Sequence, residues 1–174
     1  FAEAAVAWRR ASSVAIRRSR NVDAQHHARR SLRIIDEHLD DGTGGAELNE
    51  LRGRALLNLA FGLQATQHGS AALAEVIEQT RQFGGLAVGA AVTLDMIEVS
   101  NRQALGDFDG AAAIARETVR TFDASGDPMS AAFAHQFLGS TLVWQGQLGA
   151  GGHELRTAAD YWDSEAADDA GRLG

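Results

Sequence analysis

The sequence predicts an all-α chain folded as a solenoid of about four antiparallel helical hairpins, about eight helices in all, and three observations point there. Alanine is abundant and proline occurs once, at Pro128, so long helices are permitted almost everywhere while runs of β-branched strand formers are scarce. Apolar positions recur at offsets of four, eight and eleven residues, the single-face spacing of a 3.6-residue helix. That set returns at a period of about 40 residues, as expected of a repeat architecture. Its copies are Ala24, Ala28, Leu32, Ile35; Ala72, Val76, Thr80, Phe83; Ala111, Ala115, Val119, Phe122; and Gly151, Leu155, Ala159, Trp162.

Taken in order, a first helix is expected over 2–19 and is paired with the helix carrying the Ala24 stripe. The turn-rich stretch Asp40-Asp41-Gly42-Thr43-Gly44-Gly45 then absorbs the longer first interval as a loop. A third helix over 46–67 pairs with the Ala72 stripe, and a fifth over 86–105 is separated from the Ala111 stripe by a turn at Gly106. Asp127-Pro128 opens the seventh helix, over 129–145, with proline near its first turn, and Gly146 stands ahead of the eighth. A two-helix repeat of this length cannot bury its apolar face alone, so neighbours must stack, leaving a groove along one side.

Composition bounds the chemistry. The 174 residues are 45% hydrophobic and 22% charged, the profile of one globular domain rather than of a disordered or collagenous chain. Cysteine is absent, which excludes disulfides, thiol nucleophiles and Cys-ligated zinc and fits a cytoplasmic setting. All sixteen basic residues are arginine, so a Walker A lysine and a Schiff-base lysine are excluded too. No apolar run reaches the roughly 18 residues that suggest a bilayer span. The chain opens Phe1-Ala2-Glu3 without methionine and reads as one repeat domain over 1–174, a piece of something longer, with residues 164–174 as a flexible acidic tail.

The last repeat carries Leu138-Gly139, Leu142, Gly146, Leu148, Gly151, Leu155 and Ala158, which resembles the tetratricopeptide pattern, with Leu142 in place of Tyr, Gly151 of Ala and Leu155 of Phe. Further segments are Ala7-Trp8-Arg9-Arg10-Ala11, Ala28-Arg29-Arg30-Ser31-Leu32, Glu47-Leu48, Gly126-Asp127-Pro128 and Leu138-Gly139-Ser140-Thr141-Leu142-Val143-Trp144-Gln145-Gly146. Together they resemble the tetratricopeptide-like region that follows the ATPase module in large bacterial signalling ATPases, among them LuxR-type transcriptional regulators and class III adenylyl cyclase regulators. The resemblance implies a right-handed solenoid and a cytoplasmic sensor or scaffold arm. Such an arm would bind an effector or protein and control an ATPase or output domain lying outside this chain. The alternatives are a stand-alone protein-interaction module and a helical enzyme.

Motifs for chemistry are sparse. Gly42-Thr43-Gly44-Gly45-Ala46-Glu47 touches a dinucleotide fingerprint, but Glu47 holds the last glycine position and no strand precedes it, so phosphate binding is not expected. His38 among Asp36, Glu37, Asp40 and Asp41 offers one helix end rather than ligands converging from several elements, and the adjacent His26-His27 pair points two ways, so no metal is expected. No Gly-x-Ser-x-Gly occurs, and no catalytic residue or cofactor is assigned. The enzyme alternative rests on Asp95 and Glu98, three residues apart on one helix, a spacing at which exposed carboxylates are ordinarily solvated.

Two polar features remain. First helices of such hairpins line the concave face, which makes Arg54, Asn58, Gln64, Thr93, Ser100, Gln103, Gln136, Ser140 and Trp144 the candidate groove for a protein, a peptide or a small effector. Phe133, Phe137, Ser140 and Trp144 share one stripe; packing against the next helix is the commoner use of such a stripe, and a binding platform is the alternative for Trp144. Charge is also lopsided: residues 1–33 hold eight arginines against Glu3 and Asp23, whereas the remainder holds eight against 21 acids. The arginines, Arg9, Arg10, Arg17, Arg18, Arg20, Arg29, Arg30 and Arg33, suit intramolecular docking onto a neighbouring module. With a net charge of −7 and no interleaved aromatics, direct nucleic-acid contact is not expected, nor is a membrane partner.

Overall fold

The computed structural model describes residues 1–39, 45–82, 86, 88–125 and 127–172. Among these there are eight α-helices and no strand: α1 (Ala2–Arg17), α2 (Asn21–Leu39), α3 (Ala46–Thr66), α4 (Ala71–Gln82), α5 (Val88–Ala104), α6 (Phe108–Ser125), α7 (Pro128–Trp144) and α8 (Leu148–Arg172). The chain divides into two compact units, Phe1–Ile97 and Glu98–Gly174, with the boundary inside α5. Within each, consecutive helices pack on one another in the manner of helical repeats.

The repeat is clearest in the turns within the hairpins. Ser19, Gly69, Gly106 and Gly146 all have positive φ, at 55°, 74°, 78° and 80°. Three of these turns share one set of hydrogen bonds. The N–H groups of Ser19, Gly106 and Gly146 donate to the carbonyls of Ile16, Gln103 and Val143, and those of Arg20, Asp107 and Gln147 donate to Ala15, Arg102 and Leu142, at 2.9–3.0 Å. This double bond pattern satisfies the last carbonyls of one helix while reversing the chain within a few residues. Glycine takes the left-handed position at no steric cost; Ser19 occupies it in the first hairpin, where no glycine marks the turn.

In the first unit, α1 and α2 are joined by two buried hydroxyls: Ser12 donates to the Ala24 carbonyl at 2.8 Å and Ser31 to the Ala5 carbonyl at 2.9 Å. Leu32, Leu56, Leu59, Leu63, Leu73, Ile77, Leu94 and Ile97 fill the core between α2, α3, α4 and the start of α5. The Ala24–Ile35 stripe is buried throughout. The expected α4 stripe is one residue out at its start, because Leu73 is buried and Ala72 exposed; Phe83 lies outside the described residues.

In the second unit, Val99, Ala111, Ala115, Leu138 and Leu142 form the core of α5, α6 and α7. Helix α8 packs on α7 through glycines: a Cβ built on Gly139 would lie 3.0 Å from the Gly151 carbonyl oxygen, and one on Gly151 2.8 Å from that of Gly139. Backbone-to-backbone approach at this crossing is what two small residues allow. It turns α8 so that Ala158 is buried, whereas the expected stripe residues Leu155 and Ala159 are exposed. The backbone of α8 is helical to Arg172 through most of the expected tail 164–174, of which Leu173 and Gly174 lie outside the described residues.

Asp127 caps α7 as its sequence suggests: the Ser130 N–H donates to one carboxylate oxygen at 3.2 Å and the Ser130 hydroxyl to the other at 2.6 Å, with Pro128 in the first turn. The Ser130 hydroxyl, then its N–H, hold the Asp127 carboxyl below the usual carboxylate range. Asp127→Ala is therefore expected to cost about 1 kcal/mol at neutral pH, the ordinary worth of an N-cap. A depressed folded-state pKa means that this stability is present above the unfolded value and lost as pH falls through the folded one. Urea denaturation of both proteins across the acid range checks it, since the gap between them should be constant near neutrality and close on acidification.

Candidate functional site

Helix α7 contains no Asp, Glu, Lys or Arg, and His135 is its one strongly polar side chain of ionisable type. A helix apolar on all sides is normally enclosed on all sides. This one is not. Ala131, Ala132, Ala134, His135, Leu138, Gly139, Thr141 and Leu142 face inward, toward α5, α6 and α8. Residues 129, 133, 136, 137, 140 and 144 fall within an arc of about 100° on the remaining side, given 3.6 residues per turn. There Met129, Phe133 and Trp144 are 41%, 39% and 58% exposed. The aromatics are held by edge-to-face partners: Trp144 on Phe108, with centroids 5.9 Å apart, and Phe133 on Trp162, at 4.8 Å. Such pairs fix ring orientation while leaving a face open. Of the two readings of Trp144, the core one is corrected by its exposure. Trp144 sits in the last turn of α7 with its edge-to-face partner Phe108 at the start of α6, on the solvent side of the stripe.

The nine groove candidates fall into two sets. In the first unit, Arg54 is exposed and ion-paired with Glu50 at 2.6 Å. The Asn58 amide donates to the Arg9 carbonyl at 3.2 Å and to the Ser13 hydroxyl at 3.0 Å, tying α3 to α1. Gln64 is half-buried, and the Thr93 hydroxyl donates to the Gly89 carbonyl of its own helix at 2.8 Å. In the second unit, Gln103 is not a groove donor: it is buried, and its amide donates to the Thr141 hydroxyl at 2.6 Å. Ser100 is half-buried on α5. Gln136, Ser140 and Trp144 do come together, all on the open side of α7, with the Ser140 hydroxyl donating to the Phe137 carbonyl at 3.0 Å.

A further cluster has no counterpart in the sequence reading. His135 is buried, with Nδ1 2.6 Å from Glu154 Oε2 on α8 and Nε2 3.2 Å from Asp123 Oδ1 on α6, and its ring stacks on Tyr161 at 5.8 Å. The Tyr161 hydroxyl also reaches Asp123, at 3.5 Å. The cluster is a hydrogen-bonded clamp joining α6, α7 and α8.

The other candidates resolve into structural contacts. Asp95 pairs with Arg81 at 2.6 Å and Glu98 with Arg102 at 2.8 Å, so each carboxylate is committed to an arginine rather than to its neighbour. Asp36 pairs with Arg52 at 2.8 Å, while His38 bonds to the Ile34 carbonyl and stacks on Phe1. Among the described residues no three His, Asp or Glu side chains converge as metal ligands; Asp40 and Asp41, like Gly42-Thr43-Gly44 and Gly126, lie outside the described residues. Seven of the eight N-terminal arginines are exposed, and Arg9 is partly buried. No helix, among the described residues, is long and apolar enough to cross a membrane.

Comparison of the chain with protein-family models, with curated proteins and with solved structures finds no match in any of the three.

Proposed function

We propose that this chain is a non-catalytic binding module of helical-repeat type, the sensor or scaffold arm of a cytoplasmic bacterial signalling or transcriptional regulator, and that it takes a protein or peptide partner on the open side of α7. One observation carries the reading: a helix without charged residues presents Met129, Phe133 and Trp144 to solvent around the polar groups of Gln136 and Ser140. Contiguous exposed apolar side chains of this kind mark interaction surfaces. Aromatic anchors with a few hydrogen-bonding groups suit the apolar face of a partner helix or an extended peptide. The regulatory setting is supported by the resemblance of the repeat segments to signalling ATPases, and a stand-alone interaction module would use the same surface.

Because Trp144 is more than half exposed, Trp144→Ala is expected to leave helicity unchanged and shift stability by no more than about 0.5 kcal/mol, the usual range for surface sites. The same change should weaken partner binding at least about tenfold, as loss of a tryptophan anchor does. Circular dichroism, a thermal melt and binding measured on one preparation separate the two effects. A large drop in melting temperature would return Trp144 to the core and remove the basis of the proposal.

A further inference from the structure

The first unit contains an open cleft of about 670 Å³ between the N-terminal halves of α1 and α3, lined by Val6, Arg9, Leu48, Glu50, Leu51 and Arg54 among others. Its size is within the range of about 300–1,000 Å³ typical of small-molecule sites. Val6, Leu48 and Leu51 make one wall apolar, and Leu48 and Leu51 continue into the packed cluster with Ala5 and Ile35. The polar side is unusual for its charge. Arg9 makes no ion pair among the described residues, and its Nε is buried without a hydrogen-bond partner. Burial, then the nearby guanidiniums of Arg54 and Arg10, lower Arg9 from the ordinary arginine value. Among the described residues Arg54 pairs with Glu50, at 2.6 Å, in an exposed pair that is weak in water. A guanidinium on the cleft wall without a counter-charge of its own favours an anion beside it.

We propose that this cleft binds a small amphipathic organic acid, its single carboxylate on Arg9 and Arg54 and its apolar body along Val6, Leu48 and Leu51. Glu50 and the exposed Glu47 at the rim set the charge that is accepted. Glu50 already pairs with Arg54, which leaves the charge of Arg9 to be met, so one added negative charge suffices and a monocarboxylate is preferred to inorganic phosphate. The site lies in the first unit and is independent of the α7 surface.

Isothermal titration of the full chain with sodium octanoate tests the proposal, with octylamine and inorganic phosphate as the charge-reversed and tail-less probes. Octanoate should bind saturably, octylamine should not, and phosphate should fail to displace octanoate. Arg9→Gln should weaken octanoate about tenfold or more, the worth of a charge-assisted hydrogen bond. Glu50→Gln frees Arg54 from its competitor and should tighten binding severalfold, a gain that a folding defect cannot mimic. The proposal is overturned by any of four results: no saturable octanoate binding at millimolar concentrations, equal binding of octylamine, displacement by phosphate, or a Glu50→Gln protein that binds octanoate no better than the parent.

Discussion

Gly151→Val is expected to destabilise the second unit by about 3 kcal/mol, the upper end of the usual cost of overpacking. A Cβ at Gly151 would lie 2.7 Å from Val143 Cγ2, 2.8 Å from the Gly139 carbonyl oxygen and 2.9 Å from the Val143 nitrogen. Two of those three atoms are backbone, so the clash cannot be relieved by turning a side chain; α8 must move away from α7, and the contact that makes this crossing close is lost. The neighbouring Gly149 supplies the contrast. Nothing lies within 4 Å of a Cβ built there, so Gly149→Ala keeps the packing and should add up to about 1 kcal/mol through helix propensity. Urea denaturation followed through Trp144 and Trp162 in a Trp8→Phe background reports the second unit alone. Opposite signs at two glycines two residues apart in one helix are the signature of a packing effect rather than of backbone entropy.

The second large effect concerns His135. Replacing it with alanine removes a buried ring from between α6, α7 and α8 and leaves Glu154, whose side chain is 21% exposed, without the donor at 2.6 Å that it faces. Asp123, with 46% of its side chain exposed, can turn to water, so its share of the loss is small. A buried ring lost together with its hydrogen bonds falls in the upper part of the usual range for single substitutions, which places this site at about 3 kcal/mol. The Trp8→Phe background and the same denaturation experiment check it. Adding Glu154→Gln to His135→Ala should recover part of the loss, because the half-buried carboxylate is then no longer charged. Additive losses would show instead that the two residues act separately.

Helix boundaries were legible because they depend on neighbours along the chain. The single proline with Asp127 before it, the stripe from Ala24 to Ile35 and the glycines at 106 and 146 each act within a turn or two of their own position. Features joining distant segments were not legible. The partners of His135 lie 12 and 19 residues away on other helices, and Gln103 reads as a polar groove residue until Thr141, 38 residues on, is placed beside it. Alanine-rich helices also leave register ambiguous. Ala72 and Ala159 fit the apolar period as well as Leu73 and Ala158 do, and only the fit against the neighbouring helix decides between them. Trp144 illustrates the same limit from the other side, since spacing put it on a stripe but could not say that the stripe faces water.

The central claim is that the open side of α7 is where this module meets its partner. Native mass spectrometry of the chain after incubation with cell extract, performed in parallel on the parent and on a Phe133→Ala, Trp144→Ala double variant of equal helicity, tests it most directly. The account predicts a bound species of defined mass on the parent that the variant does not retain. The same species held equally by both proteins would contradict it.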